Sequence, residues 1–217
     1  MSNFSTVNLD IDGKVFNLEY YSYFNDYYSL NGRMVEPQTR KWFLNELKET
    51  DVIFDVGAHI GLYTILFSLK TNNVTSFEPT ETYESLLIPN LRNNNITTPK
   101  LEKLALGSNS GVKKDKIFRI WGNPAEELDY TFTTLDEYII KNNVLPNVIK
   151  IDVDSFDYEV LLGGKEYLSS NDVTVCVEVS NALSHRGYNV DNIKNLMSDM
   201  GYKIINILDG ENVIYRK

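Results

Sequence analysis

The sequence predicts an α/β protein built on an open, doubly wound and mostly parallel sheet. Three observations carry that expectation. Five short strand-like runs, at 51–56, 74–77, 101–106, 148–153 and 173–179, alternate with stretches whose apolar residues recur at helical spacing. The runs end on a polar residue or a glycine, namely Asp55, Glu78, Gly107, Asp152 and Glu178. The last two runs, Tyr202 to Leu208 and Asn212 to Tyr215, are separated only by the Asp209-Gly210 turn, so a hairpin adds a late antiparallel strand.

In chain order, residues 6 to 24 alternate loosely around Asp12-Gly13, a hairpin signal. Tyr20, Tyr21, Tyr23, Tyr27 and Tyr28 suit an edge strand or a lid, because a phenol offers an apolar body with a polar tip. Pro37 suits a first helical turn, and Trp42, Phe43 and Leu47 follow at helical spacing, which predicts a helix over 37–49. The strand at 51–56 leads into a helix over 60–70, and Val74 to Phe77 into a helix over 81–93 that the Asn93-Asn94-Asn95 run ends. Leu101 to Leu106 reads as one strand. Residues 108 to 133 are hard to read, with an extra strand at Ile117 to Trp121 and a turn at Gly122-Asn123-Pro124. Thr134 or Thr133 caps a helix whose first turn holds Asp136 and Glu137, where the helix dipole favours acids. Val148 to Val153 is almost wholly apolar, as a strand buried on both faces requires, and a helix ending at Gly163-Gly164 follows. Val173 to Val179 is the next strand, and Asp191 to Met200 a helix stopped by Gly201. At 217 residues the chain suits one domain, with residues 1–50 as an N-terminal hairpin and helix cap and 51–217 as the core.

Bulk properties narrow the function. A net charge of −9 argues against a surface that neutralises phosphates, so no nucleic acid is expected as partner. No apolar run reaches the roughly 20 residues that cross a bilayer, and the first residues lack the basic and apolar segments of a signal peptide. A cytoplasmic protein without membrane partner is the expectation. The single Cys176 lies in an apolar run and reads as core.

In a doubly wound sheet, ligands bind beyond the carboxyl ends of the strands. Asp55, Glu78, Leu106-Gly107, Asp152 and Glu178 therefore converge on one rim. Gly57 and Gly61 permit a tight turn and are expected to let a ligand approach backbone N–H groups at the helix start. Their spacing is not G-x-G-x-x-G, which disfavours a pyrophosphate-bearing dinucleotide and hence a nicotinamide dehydrogenase. Glu78, 23 positions after Asp55, sits where a carboxylate accepts hydrogen bonds from ribose hydroxyls.

The ordered string Asp55-Val-Gly-Ala-His-Ile-Gly-Leu-Tyr63, Phe77-Glu78-Pro79, Asn90-Leu91 to Asn94, Ala105-Leu106-Gly107, Thr134-Leu135-Asp136 and Ile149-Lys150-Ile151-Asp152-Val153-Asp154 resembles the FkbM family of S-adenosylmethionine-dependent methyltransferases. The likeness continues through Tyr158-Glu159-Val160-Leu161 to Gly163 and spans roughly residues 50 to 180. It implies a class I methyltransferase fold, Rossmann-like, with a seven-stranded sheet, and O-methylation of a hydroxyl, commonly on a sugar, glycan or polyketide. The implied cofactor site comprises Asp55, Gly57, Ala58, His59, Gly61, Tyr63, Glu78, Pro79, Asn94, Ala105, Leu106 and Asp152. Where the family has Asp-Val-Glu-Gly-x-Glu, this chain has Asp152-Val153-Asp154-Ser155-Phe156-Asp157, a change of local loop shape and substrate contacts.

Methyl transfer to an alcohol needs collinear reacting atoms and removal of a proton. Asp152, Asp154, Glu178 and His185 are the candidate catalytic groups. In an extended strand Asp152 and Asp154 would point to opposite faces, so they share a ligand only if the strand has already ended. Some related sugar methyltransferases hold Mg2+ on carboxylates, and the acids here permit it, but no residue is assigned to a metal. The expected partner is a small-molecule or glycan acceptor, and the sequence leaves room for a homo-oligomer. The alternatives are a non-catalytic cofactor-binding module and a methyltransferase of a polyketide, protein or nucleic acid.

Overall fold

A computed structural model describes residues 4–24, 36–116 and 127–217. The chain opens with the hairpin β1 (Phe4–Ile11) and β2 (Lys14–Tyr21). Asp12 and Gly13 both take positive φ, 56° and 77°, the primed turn that matches the twist of two strands. One face of the hairpin is apolar: Val7, Leu9, Ile11, Phe16, Leu18 and Tyr20 are buried. Of the tyrosines proposed for an edge or lid, Tyr20 is core and the Tyr21 hydroxyl meets Ser85 Oγ at 2.9 Å. Tyr27 and Tyr28 lie outside the described residues, as do the strand expected at Ile117 to Trp121 and the turn at Gly122-Asn123-Pro124.

Helix α1 (Pro37–Glu46) has Pro37 in its first turn, and Asp209 from across the fold accepts from the Gln38 and Thr39 N–H groups at 3.2 and 2.8 Å. It stops three residues before the expected 49 because Leu47 is extended. Then come β3 (Ile53–Val56), α2 (Leu62–Ser68) and β4 (Val74–Phe77). The helix expected over 81–93 divides into a wide turn at Tyr83–Leu87 and α3 (Ile88–Asn93). Pro89 explains the division: it has no N–H to return to the previous turn, and its ring pushes that turn open.

The strand expected over 101–106 is two strands. β5 (Lys100–Glu102) edges the main sheet, whereas β6 (Ala105–Leu106) joins a three-stranded sheet with β7 (Gly111–Lys116) and β8 (Glu127–Thr133), in the order β6-β8-β7. The poorly legible region thus supplies a second sheet. Helix α4 (Leu135–Asn142) follows, and Thr134 caps it by accepting the Glu137 N–H at 3.0 Å. β9 (Val148–Ile151) ends before Asp152, two residues short of the apolar run. The glycine pair at 163–164 divides α5 (Asp157–Gly163) from α6 (Lys165–Ser170). After β10 (Thr174–Glu178) come a short turn of helix at Asn181–Arg186 and α7 (Val190–Asp199), whose Asn189 and Asn192 form a reciprocal cap. β11 (Lys203–Leu208) and β12 (Asn212–Arg216) close the chain around Asp209 and Gly210, both again at positive φ.

The main sheet has seven strands in the order β11-β12-β10-β9-β3-β4-β5. β12 is the antiparallel member, inserted between β10 and β11, as the turn spacing requires. One core, with Phe43, Ile65, Phe67 and Leu91, packs the N-terminal hairpin, α1, α2 and α3 on one face. A second, with Leu135, Val160, Leu161 and Leu196, packs α4 to α7 on the other. Among the described residues, no helix is long and apolar enough to cross a membrane.

Candidate active site

A cavity open to solvent lies beyond the carboxyl ends of β3, β4, β9 and β10. Its wall includes Gly57, Ala58, His59, Tyr63, Glu78, Pro79, Ala105, Leu106, Asp152, Asp154 and Glu178, all named from the sequence.

Glu78, buried at the end of β4, organises one end. Its Oε2 accepts the His59 N–H at 2.9 Å, and its Oε1 accepts the Thr80 N–H at 2.9 Å together with the Thr80 hydroxyl. Charge-assisted bonds of this kind fix a carboxylate in one orientation. His59 itself is held at φ 49° inside the turn.

The glycines of that turn work differently from the sequence expectation. The Gly57 and Ala58 N–H groups both donate to Phe77 O at 3.0 Å, and the Gly61 N–H donates to Ala58 O at 2.8 Å. With the His59 N–H committed to Glu78, these four donors are not offered to a ligand. Gly57 is required instead by packing: a Cβ there would stand 1.8 Å from the Asp152 carbonyl oxygen, and φ is 93°. Gly61, also at φ 93°, makes room for Leu87. The turn brings β3 hard against the loop after β9, and so shapes the cavity.

Four residues assigned from the sequence are not on the cavity wall. Asp55 lies beneath it, buried, and accepts from the Thr64 hydroxyl at 2.6 Å. Burial pushes its pKa up to about 6. Gly61 acts through the packing just described. Asn94 ties the hairpin to α3: its carboxamide accepts the Asn17 N–H at 3.0 Å and donates to Asn17 O at 2.7 Å, while Asn90 does the same at Glu19. A carboxamide carries the donor and acceptor of a peptide group, so two of them four residues apart extend the edge of β2. His185 is exposed on the helical turn at 181–186, away from the wall.

Its neighbour Arg186 does contribute. The guanidinium stacks 3.3 Å from the Phe156 ring centroid, donates to Ser155 Oγ at 3.1 Å and reaches Asp115 at 2.9 Å, so it braces the wall that Phe156 and Phe132 form. Nothing in sequence spacing joins Arg186 to Asp115. Ser155, in the place of the family's glycine, is fully buried under this clamp.

Asp152 and Asp154 both face the cavity, because β9 has ended and Asp154 turns back at φ 61°. Lys150 lines the floor, 1% exposed, its ammonium 2.6 Å from Asp152 and 4.3 Å from the Tyr63 ring centroid. Burial alone would lower its pKa, but Asp152, Glu36 and Asp55 outweigh that and raise it, so it stays charged. Glu36, just before α1, completes the wall and accepts from Asn212. Burial holds its pKa above the usual carboxylate range. Neither Glu36 nor Lys150 was assigned from the sequence, although a lysine in an otherwise apolar strand was a visible signal. Burial, reinforced by Asp152, Asp157 and Asp154, also raises Glu178 well above its ordinary value. Its Oε2 has no hydrogen-bond partner among the described residues. Among those residues no three His, Cys, Asp or Glu side chains are grouped to hold a metal ion.

The sheet order and the cavity at its carboxyl edge define a class I methyltransferase fold. The model of the FkbM methyltransferase domain matches residues 55–204, and the chain belongs to that family. It is 30% identical over 172 residues to the hexuronic acid methyltransferase AglP of Haloferax volcanii, covering 76% of this chain and 68% of that protein. The FkbM methyltransferase crystal structure from Methylobacillus flagellatus superposes with a TM-score of 0.60 at 16% identity, over 79% of this chain and 44% of that one. This chain thus spans less than half of that structure's length. A Streptococcus mutans protein crystallised in complex with SAH superposes at 0.52, 11% identical, over 82% of this chain and 93% of that one.

Proposed function

We propose that the chain is an S-adenosylmethionine-dependent O-methyltransferase whose acceptor is a hydroxyl of a sugar or glycan. Glu78 carries the cofactor reading: a buried carboxylate, fixed by His59 and Thr80 at the rim of the cavity beyond the strand ends, suits the paired hydroxyls of a ribose. Leu104, Ala105 and Leu106 offer an apolar slot for the base. S-adenosylmethionine, when bound, supplies an electrophilic methyl group on a sulfonium.

The remaining residues support attack by a hydroxyl. As the new O–C bond forms and the S–C bond breaks, the hydroxyl proton must leave, and Asp154 accepts it from its strained loop position. Glu178, kept protonated by burial and by its acidic neighbours, donates a hydrogen bond that orients the acceptor oxygen. Phe132, Val153 and Phe156 exclude water from the transfer. The curated relative is a hexuronic acid methyltransferase, which offers a hydroxyl and a carboxylate alike. A carboxylate acceptor needs no base and is repelled by Asp154, so a wall that carries this acid favours a hydroxyl.

The test is binding of S-adenosylhomocysteine followed by methyl transfer from labelled cofactor to a panel of neutral and uronic sugars. Binding with labelling of a neutral sugar is the expected result. Binding without label on any acceptor would favour a non-catalytic module instead.

A further inference from the structure

We propose that Lys150, flanked by Glu36 and Asp152, is the receptor for the amino-acid end of the cofactor, its ammonium taking the α-carboxylate while the two acids take the α-ammonium. The inference rests on the S-adenosylmethionine reading and extends it to Glu36 and Lys150, to which no role was assigned from the sequence.

Much of the nearby backbone is already committed to the fold. An α-carboxylate needs donors, and the first place to look for them is the turn after β3. There the N–H groups of Gly57, Ala58, His59 and Gly61 are already spent on Phe77, Glu78 and Ala58. In the loop after β9 the Asp152 N–H donates to Val56 O and the Val153 N–H to Asp157. Lys150 is the cation on the cavity wall among the described residues. Its ammonium has three donors and, among those residues, one hydrogen-bond acceptor, Asp152.

The position is right as well. Lys150 pairs in register with Asp55 of β3, and β3 lies beside β4, which ends at Glu78. Two strand spacings, about 10 Å, therefore separate the ribose carboxylate from the lysine strand. An extended cofactor covers that span from ribose through sulfur to the amino acid. The surroundings fit a zwitterion better than a simple anion: Glu36 and Asp152 share the wall with Lys150, so either charge of the amino-acid group finds its opposite. The Tyr63 ring under the ammonium keeps the lysine from swinging out.

Calorimetry with three probes separates the possibilities: S-adenosylhomocysteine, its decarboxylated analogue S-adenosyl-3-thiopropylamine, and 5′-methylthioadenosine, which lacks the amino-acid group. The wild-type protein is expected to prefer S-adenosylhomocysteine over the decarboxylated analogue by on the order of ten- to a hundredfold, the worth of a charge-assisted bond. Lys150→Met should erase that preference and leave 5′-methylthioadenosine affinity within a few-fold. Glu36→Gln should weaken both amine-bearing probes and spare the third. Equal wild-type affinity for the acid and its decarboxylated analogue overturns the assignment, and this result needs no variant to fold. So does a Lys150→Met protein that loses all three probes equally while its melting temperature is unchanged. Failure of the wild type to bind any probe overturns the cofactor reading beneath it.

Discussion

Replacing Glu78 by glutamine perturbs the ribose end with the least change of shape. The carboxylate presents one oxygen to the His59 N–H at 2.9 Å and the other to the Thr80 N–H at 2.9 Å, and an amide cannot accept at both ends. Whichever way it turns, its NH2 faces a backbone donor and orphans it, at a cost to the fold of about 1–3 kcal/mol. Toward the ligand, one of two charge-assisted acceptor oxygens becomes a donor. The loss of about 1.5–3 kcal/mol corresponds to roughly ten- to a hundredfold in Kd for S-adenosylhomocysteine. Glu78→Ala removes both oxygens and should weaken binding by on the order of a thousandfold. Titration calorimetry reads the affinity, and a thermal melt reads the fold separately. The reasoning is refuted if Glu78→Gln lowers the melting temperature yet binds within twofold of wild type. The carboxylate would then serve only to hold the turn.

Four further variants test the same geometry. Gly57→Ala places a Cβ 1.8 Å from the Asp152 carbonyl at a φ of 93°, so destabilisation above about 3 kcal/mol is expected, and a denaturant melt close to wild type would contradict it. Asp55 has a folded pKa raised to about 6 from 3.8, so the native state keeps a proton that the unfolded state releases. Asp55 should contribute a fall of about 3 kcal/mol as pH rises from about 4 to 6.5, so the decline in Asp55→Asn should be smaller than in the wild type by about that amount when both proteins are unfolded in urea across that range. Asp154→Asn should lower kcat by about 10²–10⁴-fold with little change in S-adenosylhomocysteine affinity, as loss of a general base requires. Glu178→Gln keeps a neutral donor and should stay within about tenfold of wild type. A reversed order of these two variants would exchange their roles.

The elements legible in the sequence were those with a strong local cause. Asp12-Gly13 and Asp209-Gly210 fixed two hairpins, and strands ending in Asp55 and Glu78 were read from apolar runs with an acid behind them. Boundaries set by distant contacts were not legible. Residues 101–106 read as one strand, yet Ala105 and Leu106 leave the main sheet to pair with Phe132 and Thr133, a partner some 27 positions away. Pro89 was visible, but the widened turn it forces requires the packing of Leu86 and Leu87 as well. In the site, Asn94 matched its family position and proved to bind the hairpin, because a matched motif does not distinguish a ligand contact from a packing contact. His185 drew notice for its chemistry, whereas Arg186 beside it carries the structural role through Asp115 and Phe156. Lys150 was hidden by its setting: a charge inside an apolar strand looks like an exception until Asp55, Asp152 and Glu36 are gathered around it.

The most direct test of the central claim is the chemical nature of the transferred methyl group. Purified protein, methyl-labelled S-adenosylmethionine and an acceptor panel of neutral and uronic sugars would be incubated together, and the labelled products treated with mild alkali. A hydroxyl acceptor gives a methyl ether that keeps its label in alkali, and this is the predicted result. Label released as methanol, the mark of a methyl ester, would contradict the role given to Asp154 and Glu178.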